Sequence, residues 1–427
     1  MSLIGKFIDQ LLPIGSITIV QPGGQRETHG PGGGKHVTVK LHDRRAAMDI
    51  FRNPRLRVGE LYMDGRLTIE DGTILDLLEL VVGAKPWEQG FRKALGKGKG
   101  SWLKHVFRRN DVRKSRRNVA HHYDIGNALY ALFLDDDLQY SCAYFTDPDH
   151  SLEQAQADKK AHIAAKLDLK PGQRVLDIGC GWGGMALYLN KVAGVEVLGI
   201  TLSEEQLRLA RQRAKEAGVS DKVKFELIDY RQLDGRFDRI VSVGMFEHVG
   251  AAQYDEFYAK CRELLTDDGV MLLHTIGKLG GAGKPDPFTD KWIFPGYHLP
   301  ALSQMCGSSE KVKMIVSDVE CLRLHYAYTL RHWLNRATTA RAEIEKLYDA
   351  RFFRMWEFYL AGGIVMFESG AACNYQVQYV RDRRALPITR DYMIETERRY
   401  REIGGKAVAP AKKPRAARKK ALETTGA

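Results

Sequence analysis

The run Val175-Leu176-Asp177-Ile178-Gly179-Cys180-Gly181-Trp182-Gly183-Gly184 constrains this chain more than any other stretch. An apolar segment carrying an acid near its end leads into glycines at alternate positions. Such a turn lets the backbone approach a ligand closely and tolerates positive φ. Gly172-Gln173-Arg174 precedes the segment and residues 185–192 read as a helix that leaves it, so the unit is strand, turn, helix. A chain built around this unit needs a sheet with crossover helices, and its turn suits a nucleotide-like cofactor.

The order of elements from residue 173 onward extends that unit. Strands are expected at 175–178, 195–200, 223–228, 237–243 and 270–274, with helical stretches between them. The helix over 203–217 has Ser203 as its cap and Glu204, Glu205 and Gln206 in its first turn. This alternation predicts an α/β fold with a doubly wound, mostly parallel sheet of the Rossmann-like kind, joined by right-handed crossovers. The turn lacks the third glycine of dinucleotide sites, and Asp177 before it is the pattern of S-adenosylmethionine methyltransferases more than of nicotinamide enzymes. The second strand ends in Thr201-Leu202-Ser203 with no acid for ribose hydroxyls, which counts against NAD and leaves the ribose to Gln206 or an upstream residue. After the third strand, Asp229 is placed to accept from an adenine amino group and Tyr230 to cover the ring. The fourth strand leads into Gly244-Met245-Phe246-Glu247-His248-Val249-Gly250 rather than the Asn/Asp-Pro-Pro-aromatic turn of enzymes that methylate DNA amino groups. Its apolar pair points to a less polar acceptor. A Gly- and Pro-rich loop over 277–296 is a candidate lid, and two helices rich in Trp and Tyr are expected over 326–348 and 350–367.

At 427 residues and 44% hydrophobic content, the chain can bury a large core in two domains. The expected division is a smaller α+β accessory, lipid-binding domain over 1–95, a basic linker over 96–119, the catalytic domain over 120–400 and a basic, disordered tail over 401–427. In the first part, 36–41 alternates like a strand and 74–82 reads as an apolar helix. Six scattered cysteines argue against a disulfide framework or a metal site. No run reaches the ~20 apolar residues of a membrane span, and residues 1–19 lack a cleavage pattern, so a cytoplasmic protein is expected. The net charge of +12 is concentrated. Eleven Lys and Arg against one acid fall between Arg92 and Arg117, and seven more with no acid between Lys406 and Lys420. Both segments suit an anionic partner. Trp102, Leu103, Val106 and Phe107 form an apolar stripe beside the first, which fits either an interfacial helix or a linker helix packed on the protein.

Seven separated motifs then occur in one order. They are Tyr140-Ser141-Cys142-Ala143-Tyr144-Phe145, the glycine turn, Thr201-Leu202-Ser203 with Gln206, the 244–250 segment, His274-Thr275-Ile276-Gly277, Ile293-Phe294-Pro295-Gly296 and His325-Tyr326-Ala327-Tyr328-Thr329-Leu330. Over about residues 115–385 the chain resembles the cyclopropane-fatty-acyl-phospholipid synthase family, to which the mycolic acid cyclopropane synthases also belong. The N-terminal part is similar to the accessory domain of the bacterial phospholipid-acting members.

The resemblance implies transfer of a methylene from S-adenosylmethionine to the cis double bond of an unsaturated phospholipid acyl chain, forming a cyclopropane. The same site chemistry supports a methyl-branched or hydroxylated chain as the alternative. It places Tyr140 and Ser141 by the methionine part of the cofactor, Gly179 and Gly181 beneath it with Asp177, Thr201, Leu202 and Gln206 around ribose and adenine, and Asp229 and Tyr230 at the adenine edge. It assigns the base to a bound bicarbonate held by backbone groups of Cys142 and Ile276 and by the side chains of Glu247, His274 and Tyr326. An oxyanion needs such donors, and Glu247 would accept the ion's O–H. Phe246, Trp292, Phe294, Trp356 and Tyr359 are candidates for a dry aromatic wall able to stabilise a cation. His121-His122-Tyr123-Asp124 with Gly126-Asn127 would shape the pocket above the cofactor. The expected partners are a phospholipid bilayer surface, met peripherally from the inner face of the cytoplasmic membrane, and a second copy in a homodimer; nucleic acid is not expected.

Overall fold

The computed structural model describes residues 3–83, 86–89 and 126–405. The basic segment over 92–117, its Trp102 to Phe107 stripe, residues 121–124 and the tail from 406 lie outside the described residues.

The N-terminal part begins with helix α1 (Leu3–Leu11) and strands β1 (Gly15–Val20), β2 (Arg26–Gly32) and β3 (His36–Leu41). Helices α2 (Arg44–Arg52) and α3 (Pro54–Met63), strand β4 (Leu67–Asp71) and helix α4 (Ile74–Gly83) complete it. The four strands form one sheet in the order β2-β1-β3-β4, with β1 parallel to β3 and the other pairs antiparallel. Asp43 starts α2 by accepting from the Arg45 and Ala46 amides, and Pro54 at the first turn of α3 needs no donor there. Strand and helix therefore form where the sequence predicts them over 36–41 and 74–82.

The larger sheet has seven strands. The five expected ones are β5 (Arg174–Ile178), β6 (Glu196–Thr201), β7 (Val223–Leu227), β8 (Phe237–Val243) and β9 (Leu265–Lys278). They are joined by β10 (Ile315–Cys321) and β11 (Ala372–Val380), giving the order β10-β11-β9-β8-β5-β6-β7. All pairs from β9 through β8, β5 and β6 to β7 are parallel, whereas β11 is antiparallel to both neighbours. The chain starts at β5, moves out to β7, then returns to β8, so strand order reverses at β5 and opens a crevice at its C-terminal end. This is the doubly wound, mostly parallel α/β arrangement that the sequence predicts. Ser203 caps the helix Glu204–Glu216 by accepting from the Gln206 amide, as its sequence predicts.

Three expectations need correction. The tail expected to be disordered over 401–427 starts in a helix, because Asp391–Gly404 runs through its first four residues. The stretch over 326–348 is two helices, His325–Thr339 and Arg341–Leu347, rather than one. Thr339 donates its hydroxyl back to the Asn335 carbonyl, a bond that loosens a helix end, and the chain turns at Ala340. The loop over 277–296 is not wholly irregular: β9 runs on to Lys278, and Asp286 caps a short helix, Pro287–Trp292.

The N-terminal part is packed onto the larger one. Leu61, Met63, Leu77 and Leu80 share one buried cluster with Phe288, Trp356, Phe358 and Ile364. Gly59 of α3 sits where a Cβ would come within 2.5 Å of Phe288 and 2.6 Å of Phe358. The close approach of α3 to the helix Ala350–Glu368 requires that position to be bare. Gly59→Val is therefore expected to cost about 2–3 kcal/mol by overpacking, seen as a lower Tm in calorimetry; an unchanged Tm would show that the two parts are not so closely apposed.

Candidate active site

Two cavities meet at the C-terminal edge of the larger sheet. The first lies over the glycine turn and is lined by Asp177, Gly179, Gly181, Thr201, Leu202, Gln206, Asp229 and Tyr230, with Tyr140 and Ser141 at one end. Every residue expected around the cofactor thus lines this one cavity. Gly179 has φ of 80° and a Cβ there would lie 2.8 Å from Met245, while Gly181 at φ 54° faces open space. Gly179 must be bare, while at Gly181 the left-handed backbone favours glycine without a steric demand.

The polar groups of this cavity match a cofactor with an amino-acid head and a nucleoside tail. Asp177 is buried, its Oδ2 has no hydrogen-bond partner, and burial pushes its carboxyl up to about 7. An ammonium group would satisfy it. Thr201 donates to Gln206 Oε1 at 3.0 Å, which fixes that carboxamide at the cavity wall. Asp229 accepts from its neighbour Arg231 at three nitrogens, at 3.0, 2.8 and 2.7 Å, and so carries both a helix cap and an ion pair. Its place in the cavity is as expected, and Arg231 is the group that holds its carboxylate there. Tyr230 presents its ring beside it, edge-on to Phe257.

Sequence reasoning missed Lys159. Wholly buried on the helix Leu152–Lys166, it donates to Gln139 Oε1 at 2.7 Å and Ser141 Oγ at 2.8 Å. Both of those residues line the cofactor cavity. With its lone pair engaged, the Ser141 hydroxyl has its proton available for an acceptor in the cavity. Burial pushes Lys159 down to about 7. Gln156 adds bonds to the carbonyls of Gln139 and Ser141, at 3.2 and 3.0 Å, which pins this segment.

The second cavity, about 650 Å³, is largely apolar. Cys142, Glu247, His274, Ile276 and Tyr326 line its inner end. From there it runs into the N-terminal part, where Ile17, Ile19, Val39, Leu41 and Leu67 supply one face of the small sheet. Tyr140, Ser141, Gly244 and His248 border both cavities. Of the aromatic side chains expected as walls, Phe294 and Tyr359 line this cavity. Phe246 instead packs beneath the sheet against Tyr254 at 4.3 Å, Trp356 is enclosed in the core, and Trp292 donates to Glu60. Their apolar surface is used in packing. Phe358 and Phe367, which sequence reasoning did not select, line the cavity in their stead.

Glu247 and His274 arrive from neighbouring strands, because Val243 at the end of β8 pairs with His274 of β9. Glu247 Oε1 accepts from the Ile276 amide at 2.6 Å, while its buried Oε2 has no partner. The Ile276 N–H is therefore aimed at Glu247, where a bound oxyanion had been the expected acceptor. Burial pushes Glu247 up to about 7 against the pull of that amide. His274 is held from both sides. Lys166 donates to Gln376 Oε1 at 2.8 Å, so Gln376 Nε2 faces Nδ1 of His274 as a donor at 3.2 Å. A neutral ring that accepts at Nδ1 carries its proton on Nε2, 2.7 Å from Asn374 Nδ2; the Asn374 carboxamide, whose Oδ1 is otherwise without a partner, satisfies both groups when it turns that oxygen to accept from Nε2. Burial keeps His274 neutral by lowering its pKa well below the usual value, and it lowers that of His248 to about 4. Among the described residues, no cluster of three His, Cys, Asp or Glu side chains is placed to hold a metal.

Comparison with known proteins gives the family of the chain. Residues 110–377 match the family described as mycolic acid cyclopropane synthetase. A probable fatty acid methyltransferase of Pseudomonas putida is 43% identical over 67% of this chain and 75% of its own length. The cyclopropane-fatty-acyl-phospholipid synthase of Escherichia coli K12 is 38% identical over 78% of this chain and 85% of its own. Among solved structures, mycolic acid cyclopropane synthase CmaA1 complexed with SAH and CTAB superposes with a TM-score of 0.59 at 34% identity, covering 62% of this chain and 97% of that one.

Two outcomes test the electrostatics. Glu247 has a higher pKa folded than its unfolded value of about 4.3, so the folded state binds the proton more tightly and stability falls as pH rises from about 4 through 7. Glu247→Gln removes that loss; its Tm should match the parent at about pH 5 and exceed it by roughly 2–4 °C at about pH 8, and a pH-independent difference would contradict the assignment. Lys159→Met should raise the Kd for S-adenosylhomocysteine about ten-fold or more by calorimetry, whereas unchanged affinity would mean that Ser141 and Gln139 need no buried cation.

Proposed function

Since the chain belongs to the mycolic acid cyclopropane synthetase family and is an S-adenosylmethionine-dependent methyltransferase, we propose that its acceptor is the cis double bond of an unsaturated phospholipid acyl chain, closed to a cyclopropane. The observation that carries this reading is the junction of a polar cofactor cavity with a long apolar one at Tyr140, Ser141, Gly244 and His248. An acyl chain in the apolar cavity presents its double bond at that junction.

The cofactor supplies an electrophilic methyl group. An alkene is a weak nucleophile, so the protein's part is alignment and exclusion of water. Asp177, Ser141 and Gln206 fit the cofactor's head and ribose, and Tyr140 closes the junction with its ring stacked 5.2 Å from Trp333. New C–C bond formation leaves positive charge on the acyl chain. Tyr140, Tyr326, Phe294 and Tyr359 offer aromatic faces to it, and neutral His248 and His274 add no opposing cation. Loss of a proton from the added methyl then closes the ring.

Bicarbonate is the base in this proposal. The unpartnered Glu247 Oε2, whose carboxyl sits near neutrality, fits the O–H of such an ion, and Tyr326 and His274 border the same space. Bicarbonate held there would take the proton while Glu247, pushed up to about 7, orients the ion by accepting its O–H. The Pseudomonas relative, described as a probable fatty acid methyltransferase, supports a second reading, in which the cation is met by an external hydride donor to leave a methyl branch or by water to leave a hydroxylated chain.

Purified protein, S-adenosylmethionine labelled in its methyl group and vesicles of unsaturated phospholipid test this. The expected product is an acyl chain that gains CH2 and keeps its ring under hydrogenation; label in nucleic acid with none in lipid would contradict the reading. His274→Ala and Glu247→Ala should abolish product while S-adenosylhomocysteine still binds. Removing dissolved carbon dioxide should slow turnover, with recovery on adding bicarbonate; indifference to both would assign the base to the protein.

A further inference from the structure

The N-terminal part carries a surface that the reaction itself does not use. On α2, Arg44, Arg45, Met48, Phe51 and Arg52 are all exposed, with Met48 54% and Phe51 58% accessible. At about 100° per residue these five fall on one stripe of the helix. The opposite side carries buried Ala46 and half-buried Ile50, and Ile50 lines the apolar cavity. Pro54, Arg55 and Val58, just beyond the break at Asn53, line it too. Arg55 is half exposed, so the cavity reaches the surface beside this helix.

Single exposed apolar side chains are ordinary. Here two large ones stand one turn apart among three arginines. The nearby acids do not neutralise these arginines, because Asp43 and Asp49 are both bonded to Arg66, at 2.7 and 3.2 Å. Among the described residues, no ion pair engages Arg44, Arg45 or Arg52. A basic helix face with a Met and a Phe at its centre has the makeup of an interfacial helix: cations meet lipid phosphates while apolar side chains enter the acyl boundary.

We propose that this face of α2 is where the protein docks on an anionic phospholipid bilayer, with the mouth of the acyl cavity held at the membrane beside Pro54 and Arg55. The proposal rests on the acyl-chain reading above for what enters the cavity, but its surface is defined independently. Phosphate contacts alone would also suit a nucleic acid; Met48 and Phe51 are what favour a bilayer. Docking there shortens the path of an acyl chain from the bilayer to the junction at Tyr140, because the chain passes under α2 along Ile50 and Val58 without crossing open water.

The test uses the full chain and two variants, Met48→Glu with Phe51→Glu, and Arg44→Gln with Arg45→Gln and Arg52→Gln. All five side chains are exposed, so unchanged circular dichroism and S-adenosylhomocysteine binding serve as the folding control. In flotation with vesicles of phosphatidylethanolamine and phosphatidylglycerol, the arginine variant is expected to lose affinity on the order of a hundred-fold. The apolar variant is expected to lose about ten-fold or more. Both should lose turnover on vesicles yet retain it on unsaturated phospholipid dispersed in detergent micelles. Vesicle binding and turnover equal to the parent in both variants would overturn the docking surface and leave the enzyme reading intact. Absence of lipid product from the parent in vesicles and micelles alike would overturn the enzyme reading, while the flotation comparison still decides the surface. Tight binding to duplex DNA that needs the arginines but neither Met48 nor Phe51 would overturn the bilayer as partner.

Discussion

The hydrogen bond from the Ile276 amide to Glu247 is the point on which the arrangement turns. It joins the end of β9 to the segment that follows β8, and it fixes a buried carboxylate with one oxygen satisfied and the other open. A strand backbone is among the stiffest scaffolds a protein has, so the open oxygen is aimed without cost at the moment of reaction. The same strand places His274 two residues earlier, and β11 holds that imidazole through Asn374 and Gln376. Gln378, two residues further along β11, is buried too, but its bonds go to the Lys166 carbonyl and the Tyr392 hydroxyl and so hold the sheet to its neighbours.

Two media meet around that bond. On one side lie Asp177, Ser141 and Gln206, each short of a partner or tied to a buried neighbour; on the other lies an apolar channel whose far wall is the small sheet. The methyl donor is a charged molecule and the proposed acceptor is a hydrocarbon, so neither environment could serve both. Seen this way, the N-terminal part is a wall of the site as much as a domain beside it. Its strands alternate so that Ile17, Ile19, Val39 and Leu41 face the channel, as the period of two requires.

What was legible in the sequence was whatever is set locally. The glycine turn, the five parallel strands and the Ser203 cap follow from turn chemistry and short-range periodicity. Most residues expected around the cofactor line one cavity because they end or follow strands β5, β6 and β7 on the same edge of the sheet, while Tyr140 and Ser141 reach it from the segment before the helix Leu152–Lys166. The rest was hidden for a common reason. The helix Leu152–Lys166 buries Gln156, Asp158, Lys159, His162 and Lys166, and β11 buries Asn374, Gln376 and Gln378. Polar residues at alternating or helical spacing read as a solvated face; only tertiary packing turns them inward. Likewise Phe246 and Trp356 look like any other aromatic until the sheet shows which side they occupy. The channel between the two parts has no sequence signature, since its walls come from segments hundreds of residues apart.

The central claim is that the acceptor's double bond reaches the methyl donor where the two cavities join. A crystal structure of the protein with S-adenosylhomocysteine and an oleoyl phospholipid addresses it directly. The account predicts the cofactor sulfur over Gly179 and Ser141, and the double bond facing it between Tyr140, Glu247 and Tyr326, with the rest of the chain along the small sheet. An acyl chain bound elsewhere, or one whose double bond lies away from that junction, would contradict it.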